Sequence, residues 1–213
     1  MNDELEPARA EIRALRGRIK RLDDDAMDLL FRKARSHSAW IPEEISDERL
    51  RELHELMKHG PTASNGLSAR IIFVKSVAAR KKLRPAMPPD NLEQTMSAPV
   101  TAIIGWDWDF FELLPRLFPR EGLNEAYRKD PDRIQNVGLL NASMQCAYFI
   151  LAARGLGFDT GAVNGFNNEI IDEAFFAGTK IKSIILCNLG EADLDHLHPP
   201  HPRLGFDEVC KII

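Results

Sequence analysis

Apolar positions along this chain recur at two different spacings, and each predicts its own kind of element. Ile12, Leu15, Ile19 and Leu22 fall at helical spacing beneath a dense face of charges, which predicts an amphipathic helix over residues 1–22, too short for a coiled coil. A second helix is predicted from Asp24 or Asp25 to about Ala34, burying Met27, Leu30 and Phe31, and it ends in the polar ARSHS (34–38). Ser46 is placed to cap DERLRELHELMKHG, with Leu50, Leu53 and Met57 inward and Gly60-Pro61 as the stop. After the polar TASNG (62–66), IIFVK (71–75) reads as a short buried strand. A helix around 77–84 and a loop RPAMPPDN (84–91) lead to a second strand, APVTAIIGW (98–106). Residues 107–137 lose the pattern, with Trp108, Phe110, Phe111, Phe118 and Tyr127 among three prolines and many charges. So long an irregular connection is a lid, a binding element or a disordered segment. SIILCNLG (183–190) is the third buried strand, and prolines 199, 200 and 202 prevent any regular element in the tail before about Phe206.

The densest information lies in NASMQCAYFILAARGLGFDTGAVNGFN, residues 141–167. Met144, Ala147, Tyr148 and Leu151 line one face of a helix over 141–154, while Cys146, Phe149, Ile150 and Ala153 fill much of the other. A helix so apolar around its circumference is buried on most faces, in a core or at a subunit interface. Gly155 and Gly157 suit its end, and Asn167 or Asn168 suits the cap of a following helix. The glycines between, Gly161 and Gly165, fit either an ordinary tight loop or a backbone passing close to a flat cofactor.

Composition narrows the class. The 213 residues suit one sizeable domain, and 44% hydrophobic with 28% charged residues is ordinary for a globular protein. A net charge of −4 implies no general affinity for nucleic acid. Three cysteines, Cys146, Cys187 and Cys210, form no metal-ligand pair, and an odd number cannot all be paired within the chain. The charged N-terminus lacks the apolar core of a signal peptide, and no run reaches a membrane span. A cytoplasmic protein is expected. Strands separated by helices and long connections predict an α/β or α+β three-layer domain without internal repeats.

Four polar islands interrupt the apolar elements: Arg35-Ser36-His37-Ser38, Pro61 to Asn65, Asn91 with Gln94, and His201-Pro202-Arg203. No G-x-G-x-x-G follows a strand, which disfavours a Rossmann site. An arginine beside hydroxyls or imidazole can cage a phosphate through charge-assisted donors. Taken singly, each island reads as a surface loop or helix cap.

In their order and spacing, the segments ARSHSAW, LRELHELMKHGPTASN, ARIIFV, NLEQTMSAPVTAIIGWD, FFELLPRLFP, ASMQCAYFILAARGLGFDTGAVNGF, AFF and PRLGFDEV resemble the FMN-dependent nitroreductase family. The likeness is greatest to its malonic semialdehyde reductases (3-hydroxypropionate dehydrogenases). It runs from about Leu29 to Ile213. It implies an α+β fold, a three-layer α-β-α sandwich on a central mixed sheet. Residues 1–22 would form an N-terminal helix and 23–213 a single FMN-binding domain. It also implies a homodimer that exchanges C-terminal arms and builds its flavin sites across the interface.

Site roles follow from the same resemblance. Arg35, Ser36, His37 and Ser38 match the first phosphate-binding segment, with Arg203 and His201 matching the second. Thr62, Ala63 and Asn65 match the segment that reaches the partner's flavin, and Asn91 and Gln94 the side chains at the pyrimidine edge of the ring. Ala162, Val163, Asn164 and Gly165 match the backbone beside flavin N5. Many members carry lysine where Gln94 stands and glutamate where Asn164 stands, and a neutral Gln94 implies a flavin somewhat harder to reduce. The implied activity is hydride transfer from NADH or NADPH through FMN to malonic semialdehyde, with no catalytic side chain of the protein's own and no metal. A broad nitro or quinone reductase, or a flavin-binding protein without turnover, are the alternatives. In the 107–137 excursion, Arg116, Arg120 and Arg128 could meet a substrate carboxylate, while Phe110, Phe111 and Phe118 could wall a pocket or simply be core.

Overall fold

The computed structural model describes residues 5–213, which fall into two compact units, one up to Ala34 and one from Arg35 to Ile213. The first holds α1 (Glu6–Arg18) and α2 (Asp24–Met27), the latter running on as a wider π-helical turn over Asp28–Arg32. Asp23 caps α2 by accepting the Ala26 N–H at 2.8 Å. Ion pairs from Arg21 and Arg32 to Asp24, and from Arg32 and Lys33 to Asp28, tie this run together. The apolar stripe of α1 is exposed, and Phe31, expected inside, is 52% exposed. The compact units divide later than the boundary after residue 22 that the sequence suggests.

The second unit is built on a sheet of β1 (Trp40–Ile41), β2 (Ala69–Val74), β3 (Val100–Asp107), β4 (Asp159–Val163) and β5 (Ile181–Ala192). Its order is β1-β5-β3-β2, with β4 also pairing β5. Every ladder is antiparallel. The expected mixed sheet therefore gives way to an antiparallel one, because the single parallel pairing among the described residues, Ser36 with Thr160, stays an isolated bridge. Alternation along β3 and β5 sorts side chains to two faces. Ala102, Ile104, Cys187 and Leu189 join Leu50, Leu53 and Met57 of α3 (Asp47–Met57) and Phe149 of the long helix below. Ile103 and Leu186 face the other way, toward Leu83 of α4 (Val77–Leu83) and Leu92 and Met96 of α5 (Pro89–Ser97). These are the two helical layers of an α-β-α sandwich.

The 107–137 excursion is no open lid. Short helices α6 (Leu114–Leu117) and α7 (Leu123–Arg128) fold into a third cluster in which Phe110, Phe111, Leu114 and Tyr127 pack with Trp106. The phenylalanines at 110 and 111 are thus core, and Arg128 is tied to Glu112 and Glu125. Helix α8 (Pro131–Gly155) begins ten residues before the Asn141 start read from the sequence, because Asp130 caps it and Pro131 occupies its first turn. Its Cys146 and Phe149 side is buried, but Leu139, Leu140 and Tyr148 are exposed within this chain. Asn167 caps α9 (Asn168–Phe175) as expected. The tail ends in one turn, α10 (Phe206–Val209).

Candidate functional site

Two sequence islands and one strand meet on the α5 side of the sheet. Ser36 bridges Thr160, and the His37 N–H donates to the Thr160 carbonyl at 3.0 Å, laying the 35–38 segment along β4. The approach is close: a Cβ on Gly161 would lie 2.3 Å from the His37 carbonyl oxygen, so only glycine fits. The His37 ring lies edge-on to Trp40, with Nε2 3.3 Å from Asp159 Oδ1. That hydrogen bond, joined by one from the Ala192 N–H, holds the Asp159 carboxyl below the usual carboxylate range against the opposing effect of burial.

From α5, Asn91 donates through Nδ2 to the Gly165 carbonyl at 2.8 Å, and Gln94 donates through Nε2 to Asn91 Oδ1 at 2.6 Å. The two amides therefore form a chain that ends on the 162–165 segment, with Ala162, Asn164 and Gly165 exposed and Val163 turned into the core. Beyond the bridge at Thr160, the outer edge of β4 has no strand beside it among the described residues. Such an edge presents main-chain donors and acceptors to whatever lies against it.

The remaining sequence-assigned residues lie elsewhere in the chain. Thr62, Ala63 and Asn65 are held from α8, on the opposite face of the sheet. Asn141 Oδ1 accepts the Ala63 N–H at 2.8 Å, and Asn141 Nδ2 donates to the Gly66 carbonyl at 2.8 Å. Asn65 Nδ2 donates to the Leu117 carbonyl. Ser64 and Asn65 take left-handed backbone, φ 54° and 51°, uncommon for residues with a side chain. The Thr62 hydroxyl is buried with no hydrogen-bond partner. His201 and Arg203 are exposed in the tail, where Arg203 bonds the carbonyls of His201 and Pro202. A cleft of about 1100 Å³ also lies away from the amide pair, between α3, β2 and α6, lined by Leu50, His54, Arg70, Ile71 and Arg116.

Sequence reasoning passed over three residues that the structure builds into this cluster. Trp40, Asp159 and Asn188 each hold a site segment from outside it. Their partners are set by strand register, which has no local signature in the chain.

Family comparison agrees with this architecture. The model of the nitroreductase family matches residues 31–190. The chain belongs to the nitroreductase family. Its fold is similar to an FMN-bound protein from Exiguobacterium sibiricum named as a nitroreductase, with TM-score 0.77, 17% identity, and 91% of this chain and 99% of that one covered. A Staphylococcus epidermidis protein named as an NAD(P)H:FMN oxidoreductase gives TM-score 0.78 at 17% identity, covering 90% and 97%. A nitroreductase family protein from Streptococcus pneumoniae gives 0.74 at 20%, covering 86% and 98%. The antiparallel sheet of this chain carries helices on both faces. Among the described residues, no helix of this nitroreductase-family chain is long and apolar enough to cross a membrane.

Proposed function

We propose that this protein is an FMN-dependent NAD(P)H oxidoreductase. The enzyme class follows from membership in a family of flavin oxidoreductases. What carries the cofactor reading here is the junction of the Arg35–Ser38 segment, the Asn91–Gln94 amide pair and the open outer edge of β4. These elements fit a flat, polar-edged ring with an attached phosphate. Main-chain groups of 162–165 would meet the ring, the amides its pyrimidine edge, and Arg35 with Ser36 the phosphate. His37 Nε2 is committed to Asp159, so its imidazole serves that segment by holding it.

FMN, when bound, supplies the hydride-transfer chemistry. The chain's own contribution is binding, orientation and the field around the ring. Gln94 is neutral, so it stabilises negative charge at the pyrimidine edge less than a lysine would, and the bound flavin is correspondingly harder to reduce.

A homodimer completes the reading. The buried, unpartnered Thr62 hydroxyl and the left-handed backbone after it make a segment shaped for something outside this chain. The exposed Arg203 and the exposed apolar side of α8 fit the same arrangement, in which a second copy brings these groups to the flavin. Malonic semialdehyde is the substrate we propose, on the resemblance of the chain to that subgroup. Nitro or quinone compounds are the rival acceptors.

The test is the visible spectrum of protein purified without added flavin, followed by anaerobic NADH and then NADPH. Flavin bands that bleach support the assignment, and comparison of malonic semialdehyde with nitrofurazone as oxidant then decides the acceptor. Persistent bands would point to a flavin-binding protein without turnover. A colourless protein that does not take up FMN would refute the cofactor.

A further inference from the structure

Trp40 occupies an unusual position between the two halves of the candidate site. It follows the Arg35–Ser38 segment in sequence, begins β1, and is almost wholly buried. Its indole Nε1 donates to the backbone carbonyl of Gln94 at 2.9 Å. Asn188 Nδ2 reaches the same carbonyl at 3.3 Å, and Asn188 Oδ1 accepts from the Thr101 hydroxyl at 2.8 Å.

The sheet is shaped for this ring. Gly161 pairs with Asn188 and Asp159 with Gly190, so all four residues lie on one face. A Cβ on Gly161 would come within 3.0 Å of the indole, and one on Gly190 within 2.9 Å. Two strands thus give up side chains where the indole lies, while Asn188 between them aims at the carbonyl that the indole also grips. His37, itself held by Asp159, lies edge-on to the ring.

We propose that Trp40 is a positioning residue, which sets the Asn91–Gln94 pair in register with the Arg35–Ser38 segment so that one FMN can satisfy both; this rests on the FMN reading above. The carbonyl of Gln94 belongs to the residue whose amide would face the pyrimidine edge. A shift of that turn moves the amide directly. Charge accumulates at this edge on reduction, so slack in the amide weakens reduced flavin more than oxidised flavin.

Trp40→Phe keeps a buried aromatic ring and deletes the N–H. We expect reduced FMN to bind on the order of 3- to 10-fold more weakly, as for loss of one hydrogen bond, with a smaller loss for oxidised FMN and a correspondingly lower midpoint potential. Ser68→Ala is the stability control, since it removes a buried hydrogen bond to the Gly138 carbonyl far from α5. It should lower the melting temperature and leave both affinities and the potential unchanged. Thr101→Val loosens Asn188 and provides a second test should the Trp40 variant not fold; it should shift the potential in the same direction. The proposal is overturned if the folded Trp40 variant keeps the parental potential, if the Ser68 variant moves it equally, or, where Trp40→Phe does not fold, if Thr101→Val leaves it unmoved. Parental protein that binds no FMN would overturn the cofactor assignment as well, which separates the two failures.

Discussion

At Cys146, burial alone pushes the thiol up to about 11, and at the still more deeply enclosed Cys187 it acts in the same direction. Neither thiol ionises near neutral pH, whereas Cys210 is exposed in the tail. A disulfide-exchange reagent at pH 8 should therefore titrate no more than one thiol in native protein and three after denaturation; rapid reaction of three in the native state would contradict the packing. Asp159 makes a second residue-scale prediction. Its carboxyl is depressed by the hydrogen bond from His37, so the charged form stabilises the fold above the ordinary value of 3.8, and this contribution is lost as pH falls through the lowered value. Asp159→Asn should be less stable than the parent at pH 7, modestly because the group is partly solvated, and the two should converge in strong acid, as measured by thermal melts across pH. Arg35, Ser36, Asn91 and Gln94 were legible as polar islands in apolar surroundings, and the roles proposed for them rest on the family resemblance. The glycine floor under Trp40 was not, because Gly161 and Gly190 become neighbours only through the β4–β5 register.

Among the elements, those whose signals are local emerged from the sequence with the least error. The Ser46 and Asn167 caps each bond an amide three residues on, and three residues is all the information they require. Helix α5 was missed because PPDN reads as a loop, although Pro89 at the first helical turn starts a helix as readily as it ends one. Strand β4 was missed because Asp159-Thr160-Gly161-Ala162-Val163 has little strand propensity and is held by the β5 ladder. The 62–66 segment shows an element holding strain for another. Asn141, fully buried on α8, bonds both Ala63 and Gly66 across the left-handed pair at 64 and 65. Asn141→Ala leaves those main-chain groups unpaired and should cost on the order of 2–3 kcal/mol in denaturant unfolding. Loosening this segment should also weaken FMN binding if, as proposed, Thr62 reaches a flavin.

For the whole molecule, the inside was easier to read than the outside. The three core clusters contain most residues that periodicity marks as inward, yet Leu139, Leu140 and Tyr148 on α8, and Leu204, Phe206, Val209 and Ile213 in the tail, are left in solvent. So much uncovered apolar surface on one helix and one arm supports the proposed second copy. Light scattering after gel filtration should give twice the chain mass, and removal of residues 199–213 should weaken the dimer and flavin binding together; a stable monomer with full FMN affinity would refute it.

Strand β5 bonds to β1, β3 and β4, and it is the last strand in the chain. A ribosome must therefore translate through β5 before β1 and β4 acquire their strand neighbour, and until then β3 has only β2 beside it. From the completion of β3 until β5 is made, the nascent chain carries an open, strongly apolar edge, so products truncated within that interval are expected to aggregate.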